Sequence, residues 1–210
     1  MARRGTAPAA SAAEPRGDAR SGLLEAAEAC LREHGYAGFS TRRVAEAAGM
    51  PLSQIHYHFG SKEALLLALL EYQNERLLQR QRATFATDVP LWKRWERACD
   101  YLDEDLASGY VRTLQEMIAV GWSNAEVAAA VRRFLAGWNE LLKAVAKEAT
   151  DRFGGLGPLR TDDVACLIGC GFLGAEAMLL LGFEDKEGVQ VRRALRRCGA
   201  VIRKLEEERQ

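Results

Sequence analysis

The chain has 210 residues, 48% of them hydrophobic, and a formal net charge of zero. A chain of this length can bury one or two cores, and its neutrality argues against a protein that coats nucleic acid non-specifically. The charge is slightly uneven, because residues 1–62 carry eight basic and six acidic side chains and the remainder carries the balancing excess of acid. This asymmetry is weak support for nucleic-acid binding by the N-terminal part.

The first 21 residues are rich in Ala, Arg, Gly, Pro and Ser and lack the apolar run of an export signal. This composition predicts a disordered arm over residues 1–17. The chain has an odd number of cysteines, and their spacing is not that of a disulfide framework, so we expect reduced thiols and a cytoplasmic location. The five are Cys30, Cys99, Cys166, Cys170 and Cys198.

Helical periodicity runs through the whole chain, and the sequence shows no period-2 alternation typical of a strand. The first helix is expected to begin near Asp18 and to end at Gly35. Gly49 and Gly60 then end two short helices, and Pro51 suits the opening of the second of these. The prediction is an all-α chain whose residues 18–62 form a three-helix domain.

Residues 63–210 predict a larger helical domain with longer amphipathic helices. Ser123 and Glu126 have the spacing of a capping box, and Thr161 is expected to cap a later, strongly apolar helix. That helix, about 161–182, is nearly long enough to span a bilayer. Glu176 lies within it and no second span exists, so we interpret it as a helix buried between subunits of a soluble protein.

The segment from Thr41 to Phe59 predicts two short helices joined by a tight turn containing Gly49. This is the geometry of a helix-turn-helix, in which the second helix enters the major groove of DNA. The side chain of Gln54 can form two hydrogen bonds with the major-groove edge of an adenine, and Leu52 can contact a thymine methyl group. Hydroxyl, imidazole and ammonium donors nearby suit phosphate oxygens.

The same segment resembles the DNA-binding domain of the TetR family of bacterial transcriptional regulators. The resemblance covers about residues 20–70 and lies in Thr41, the 44–50 run, Ile55, the Tyr57–His58–Phe59 triplet and the Ser61–Lys62–Glu63 triplet. It implies a homodimer whose C-terminal domain binds a small molecule and thereby releases a palindromic operator. The chain departs from the usual family pattern at Pro51, Leu52, Ser53 and His56, so the bases that it reads can differ.

From the residues and the resemblance together we predict nine DNA-contacting residues: Thr41, Arg42, Leu52, Ser53, Gln54, His56, Tyr57, His58 and Lys62. The pair His56 and His58 does not predict a metal site, because positions i and i+2 of a helix face different directions. No metal and no cofactor are predicted.

Aromatic residues outside this segment predict a ligand pocket for a mostly apolar molecule, and ordinary core packing is the alternative. The candidates are Trp92, Trp95, Tyr101, Met117, Trp122, Phe134, Trp138, Phe172 and Glu176. Glu176 stands alone on an apolar helix, so it is either at an exposed edge or a buried anchor for a polar ligand group.

The last two helices are expected to form the dimer interface, since symmetry would pair each with its own copy. The predicted interface residues are Cys166, Cys170, Leu173, Val191, Leu195, Cys198 and Ile202. Cys166 and Cys170 share a helix face, and small apolar packing is favoured over a redox or soft-metal role.

An acidic group at positions 100, 103, 104 and 105 resembles the magnesium-binding cluster of helical isoprenoid enzymes. No second cluster exists, so a solvated acidic face is the preferred interpretation, and the chain is not predicted to be an enzyme. The sequence therefore predicts a ligand-responsive repressor. Two alternatives stay open: an activator or ligand-independent DNA-binding regulator, and a helical enzyme acting on a hydrophobic substrate.

Overall fold

A computed structural model of the chain describes residues 16–86, 88–155, 157–183 and 190–208, with side chains from Ala19 onward. Helices account for the regular structure of these residues and no strand occurs among them, which confirms the all-α class. In chain order the helices are α1 Arg16–Gly38, α2 Thr41–Ala47, α3 Leu52–His58, α4 Lys62–Phe85, α5 Leu91–Ser108, α6 Tyr110–Gly121, α7 Ala125–Phe153, α8 Thr161–Leu180 and α9 Val191–Glu207.

The first three helices enclose a small apolar core. Leu23 and Leu24 of α1, Val44 of α2 and Ile55 of α3 are fully buried, and Phe39 fills the space between α1 and α2. Burial of each large side chain contributes about 1.5–3 kcal/mol, so this core holds the three short helices together.

A side-chain cap begins α2, and a glycine turn connects α2 to α3. The Ser40 hydroxyl accepts a hydrogen bond from the backbone N–H of Arg43 at 3.2 Å, so Ser40 rather than Thr41 caps α2. Gly49 then turns the chain with φ +64°, a conformation that favours glycine. Pro51 follows in extended conformation and precedes α3.

Helix α1 begins earlier than the sequence predicts. It begins at Arg16, so Arg16 and Gly17 are helical rather than part of the predicted arm. The rest of that arm lies outside the described residues. Gly35, with φ +63°, is non-helical and interrupts the helix where the sequence predicts its end, and helical structure then resumes up to Gly38.

Helix α4 connects the N-terminal core with the rest of the chain. The Ser61 hydroxyl caps it by accepting from the backbone N–H of Ala64 at 3.1 Å. Its first half buries Leu65, Leu66, Leu69 and Leu70 against the three-helix core, and its second half continues among the C-terminal helices.

The C-terminal helices pack as a bundle in which α7 lies between α6 and α8, and α9 lies along α5. The buried Glu206 of α9 accepts hydrogen bonds from the backbone N–H groups of Leu91 and Trp92 at 3.0 and 3.2 Å. A carboxylate at this position stabilises the positive end of α5. Arg94 of α5 donates to both carboxylate oxygens of Glu148 on α7 at 2.8 and 2.9 Å.

The acidic group on α5 is engaged in ion pairs between helices. Arg196 of α9 donates to Asp100 at 2.8 Å, and Arg80 of α4 donates to both oxygens of Asp105 at 2.8 and 2.9 Å. Asp100, Asp103 and Glu104 keep 39 to 46% of their side-chain surface exposed, as expected for a solvated acidic face, and Asp105 is 14% exposed.

Two predicted caps are shifted by one residue. Asn124 rather than Ser123 caps α7, since its side-chain oxygen accepts two backbone N–H groups at 3.0 and 3.1 Å. Arg160 rather than Thr161 is the N-cap of α8, and Asp163 accepts the backbone N–H of Arg160 at 2.9 Å.

By length and composition, α8 is a candidate membrane span among the residues described. One side of α8 packs on α7 and buries Ala165 and Ala175. The other side carries Leu167, which is 59% exposed. Helix α8 is therefore apolar on a side that nothing in the monomer covers.

Candidate nucleic-acid interface and ligand cavity

Helix α3 has one face in the core and the other at the surface. Ile55 is fully buried, Gln54 is partly buried, and Ser53, His56 and Tyr57 are exposed. The buried face fixes the helix rigidly on the domain, so the exposed face is presented in a defined orientation. A rigid helix with polar side chains on its outer face can read base edges in a major groove.

Tyr57 is the most conspicuous side chain of this face, with 66% of its surface exposed. Its ring meets the ring of the partly buried His58 edge to face, with centroids 5.0 Å apart. The Nδ1 atom of His56 lies 3.2 Å from the carbonyl oxygen of Gly60, which holds that ring against the end of the helix. These contacts restrict the side chains on the outer face before any partner binds.

Basic side chains flank α3 on the neighbouring helices. The Lys62 ammonium lies 4.4 Å from the centre of the Tyr36 ring, a cation–π contact at the start of α4. On α2, Arg42 is exposed and Thr41 is partly buried. Arg43 was not among the predicted residues, and it donates to the carbonyl oxygen of Gly38 at 3.2 Å.

Arg20 of α1 is a second basic residue that the sequence did not single out. Its guanidinium lies 5.4 Å from the centre of the Phe59 ring, immediately after α3. The remaining predicted residue of this surface, Leu52, is partly buried at the start of α3. The nine predicted residues thus lie on α2, α3 and the first turn of α4, around one surface.

A cavity of about 580 Å³ lies within the C-terminal helices. Four of the predicted pocket residues line it: Trp95, Trp138, Phe172 and Glu176. The ring of Trp95 meets the ring of Phe172 with centroids 5.5 Å apart, and its indole N–H donates to the carbonyl oxygen of Leu195 at 2.7 Å. Most of the lining is aliphatic or aromatic, which suits an apolar ligand.

Five other predicted pocket residues do not line this cavity: Trp92, Tyr101, Met117, Trp122 and Phe134. Met117 is fully buried and Phe134 packs beside it, both against the core that extends to the N-terminal helices. Trp122 is 84% exposed at the end of α6. Aromatic composition could not separate core and surface positions from pocket positions.

The other two aromatic residues are held by arginines. The Tyr101 ring has the guanidinium groups of Arg80 and Arg97 at 4.0 and 4.2 Å from its centre. The Trp92 ring has Arg203 at 5.0 Å. Arg80 and Arg203 reach these rings from α4 and α9, whereas Arg97 lies on α5 with Tyr101, and neither ring lines the cavity.

Glu176 is a polar anchor at the cavity wall. It is partly buried, and the Gln115 amide donates to its Oε2 atom at 3.0 Å. Burial raises the pKa of Glu176 to about 7, the Gln115 hydrogen bond lowers it, and Asp105 raises it. Of the two positions predicted for Glu176, the structure favours the buried anchor.

Tyr110 and Gln115 are site residues that the sequence analysis missed. Tyr110 lines the cavity, and burial and then the charge of Glu176 raise the pKa of its hydroxyl. Gln115 and Glu176 are 61 positions apart in the sequence. Local patterning carries no signal for a contact over that separation.

The predicted interface residues fall into two groups. Cys166, Cys170 and Cys198 are exposed, Leu173 and Ile202 are partly buried, and all five also line the cavity. Val191 is buried and Leu195 packs against the core, so these two face α5 inside one chain. Val191 and Leu195 are therefore withdrawn from the interface. The exposed apolar residue of α9 is Val201, at 61%.

All five cysteines are free thiols. Burial raises the pKa of Cys99 to about 11, which keeps that thiol protonated. Across the described part of the chain, no group of three or more His, Cys, Asp or Glu side chains could hold a metal ion.

The fold places a helix-turn-helix with an exposed second helix at the N-terminal end of an otherwise helical chain. Residues 23–69 match the family described as bacterial regulatory proteins, tetR family. The repressor AcnR of Corynebacterium efficiens is 42% identical over 62 residues, which are 30% of this chain and 33% of AcnR. The match thus spans about a third of that relative's length. Over residues 23–69 the chain is therefore similar to the DNA-binding domain of TetR-family regulators.

Solved structures extend the likeness of the fold beyond this domain. A TetR transcription regulator from Haloarcula marismortui has a TM-score of 0.71 and 23% identity, and the match covers 89% of this chain and 96% of that chain. The regulator FadR from Bacillus subtilis, in complex with stearoyl-CoA, has a TM-score of 0.69 and 13% identity over 87% and 96% of the two chains. Both of these proteins are described as transcription regulators.

Proposed function

We propose that this protein is a ligand-responsive transcriptional repressor that binds a palindromic operator as a homodimer and is released by a small, mostly apolar molecule. In this proposal residues 18–62 read the DNA, and residues 63–210 bind the ligand and form the dimer. The observation that carries it is α3, whose buried face anchors a polar outer face next to exposed basic residues.

For DNA binding, we assign base contacts to the start of α3 and phosphate contacts around it. Ser53 and Gln54 precede the buried Ile55, so they lie in the N-terminal turn that reads bases in this motif. Arg42 and Lys62 suit phosphates, which fix the register without carrying sequence information. The relative AcnR is described as a transcriptional repressor, which supports repression rather than activation.

For dimerisation, we assign the interface to the uncovered sides of α8 and α9. Leu167 and Val201 are 59% and 61% exposed, and Cys166, Cys170 and Cys198 lie beside them on the same two helices. Burying apolar surface against a second copy would stabilise the dimer by about 25 cal/mol for each Å² buried. A two-fold interface would contain each of these contacts twice. Two recognition helices would then lie roughly 34–36 Å apart, or more on a longer operator.

For the ligand response, we assign the coupling to α4. Its first half packs in the DNA-binding core through residues such as Leu65 and Leu66, and its second half lines the cavity with Leu77, Gln81 and Phe85. A ligand that prefers one position of α4 would shift the population of dimers whose recognition helices match the groove spacing. The structural neighbour FadR, solved with stearoyl-CoA, supports a ligand within this fold.

A reporter assay tests the direction of regulation. A reporter gene is placed behind a promoter that overlaps an operator selected with the purified protein, and its expression is measured with and without the chain. We expect expression to fall with the wild-type chain and not with a Gln54→Ala, Tyr57→Ala double variant of equal abundance. Raised expression with the wild type would make the protein an activator.

A further inference from the structure

The cavity has a polar end on one side of an otherwise apolar lining. Glu176 of α8, Gln115 of α6 and Tyr110 of α6 meet there, with the Gln115 amide 3.0 Å from Glu176 Oε2. Trp138 and Tyr110 both line the cavity, and Trp138 lowers the pKa of the Tyr110 hydroxyl, against the raising effect of burial. The polar end is thus a carboxyl group set among neutral and aromatic side chains.

The charges around this end have one sign. Among the described residues that line the cavity, none is Lys, Arg or His, and two are acidic. Asp105 is neutralised by Arg80, which donates to both of its oxygens at 2.8 and 2.9 Å. No ion pair to Glu176 occurs within the described ranges, so its negative charge is left without a counter-ion.

A carboxylate in this position is unfavourable unless a positive group pairs with it. The lining includes the aromatic rings of Trp95, Trp138 and Phe172. The face of an aromatic ring attracts a cation, and the same ring packs against the hydrocarbon part of a ligand. An anionic amphiphile would bring a second negative charge to the polar end and find no cationic side chain among the described lining residues.

We propose that the cavity binds an organic cation with an apolar body, whose ammonium head pairs with Glu176 while its hydrocarbon part fills the apolar lining. This inference rests on the ligand response proposed above and adds the chemical class of the ligand. The Gln115 amide holds the carboxylate in place, and Tyr110 and Trp138 line the space around the head group.

Binding of such a cation follows the ionisation of Glu176. The groups facing it are Gln115 and Tyr110 from α6, Asp105 from α5 with its partner Arg80 from α4, and neutral side chains from α7. Among the described residues, Glu176 is the one charged side chain that α8 and α9 contribute to the cavity lining. Because an alkylammonium titrates near pH 10, the cation keeps its charge while Glu176 ionises between about pH 6 and 8.

Three probes of equal chain length test the proposal with the full chain: decylamine, decanol and decanoate. Binding is measured at pH 8 from the change in tryptophan fluorescence, without DNA, below the concentration at which each probe aggregates. We expect decylamine to bind at least about tenfold more tightly than decanol, since hydrogen bonds to a charged group are the strong ones. Decanoate should bind most weakly.

Two variants separate a charge effect from a folding effect. Glu176→Gln should lose the preference for decylamine and keep the affinity for decanol, which shows that the cavity is intact. Glu140→Gln removes an exposed carboxylate of α7 and should leave all three affinities unchanged. In the wild type, decylamine affinity should rise from pH 5.5 to pH 8, and in Glu176→Gln it should stay flat.

The proposal is overturned if decanoate binds as tightly as decylamine, if Glu176→Gln keeps the preference, or if none of the three probes binds. The proposed function is tested separately by adding the same probes to the operator complex. Release by decanol and decylamine alike would support ligand response and contradict the cation preference. Selective binding of decylamine without release would support the site and contradict the regulatory role.

Discussion

The hydroxyl of Tyr110 donates a hydrogen bond to the side-chain oxygen of Asn74 at 3.2 Å, in a buried contact between α6 and α4. The preceding residue, Gln73, donates to Glu28 of α1 at 3.1 Å. Two consecutive residues of α4 therefore join the cavity wall on one side and the DNA-binding helices on the other. A ligand that moves Tyr110 acts on α4 next to its contact with α1.

Tyr110→Phe should destabilise the protein, because it leaves the Asn74 oxygen buried without a partner. The cost of an unsatisfied buried acceptor is about 1–3 kcal/mol. Urea unfolding followed by circular dichroism measures it. Tyr57→Phe removes an exposed hydroxyl and serves as the control, with a change within about 0.5 kcal/mol. Equal free energies of unfolding for Tyr110→Phe and the wild type would show that the contact contributes nothing.

Lys62→Ala should weaken DNA binding on all sequences alike, because a phosphate contact is independent of base identity. The slope of log affinity against log salt should flatten by about one. Fluorescence anisotropy on specific and random duplexes at several salt concentrations measures both effects. Lys93→Ala is a matched control, since Lys93 also lies over an aromatic ring, that of Trp92 at 5.4 Å, outside the DNA-binding domain. A loss confined to one sequence would contradict a phosphate role.

Val201→Asp should convert the proposed dimer into monomers, because it sets two carboxylates against an apolar two-fold interface. Leu167→Asp on α8 should do the same, and sedimentation velocity gives the oligomeric state. Trp122→Asp changes an apolar residue that is 84% exposed, immediately after α6, and should leave the dimer intact. A dimer that persists in both interface variants would place the interface elsewhere.

The pKa of Glu176 links stability to pH. This pKa is about 7 in the folded state, above the ordinary value of 4.5. Between pH 4.5 and pH 7 the carboxyl group therefore keeps a proton in the folded state that it loses in the unfolded chain. The contribution of this group to stability therefore falls as pH rises through that window. Glu176→Gln should raise the free energy of unfolding relative to the wild type at pH 8, by on the order of 2 kcal/mol, and much less at pH 5.

Denaturant unfolding at the two pH values provides the measurement for Glu176. Glu140→Gln, at an exposed position of α7, should have the same small effect at both. If Glu176→Gln destabilises the protein more at pH 8 than at pH 5, the carboxylate has a favourable partner and the account of its burial is wrong.

The N-terminal domain was predictable because its chemistry is local. The spacing of Val44 and Ile55 about Gly49 fixes which faces are buried, and short helices leave few alternatives. On α9 the same reasoning failed for Leu195. A periodic apolar face shows that a helix packs against something, and it does not show whether the neighbour is α5 or a second chain.

The cavity was harder to predict because its wall is assembled from distant parts of the chain. Glu176 was noticed as an isolated charge on an apolar helix, but its environment depends on Gln115 and Tyr110 of another helix. Trp122 and Trp138 have equal aromatic character in the sequence, yet one is exposed and the other lines the cavity. Tertiary packing alone distinguishes them.

Selection of bound sequences from a random pool of duplex DNA tests the central claim most directly. We expect the wild-type chain to enrich an inverted repeat with two half-sites, and Gln54→Ala to lose preference at one position of each half-site, worth about 1–3 kcal/mol. Gln79→Ala, an exposed glutamine of α4, should select the same repeat as the wild type. Failure of the wild-type chain to enrich any sequence would contradict the assignment of α3 as a recognition helix.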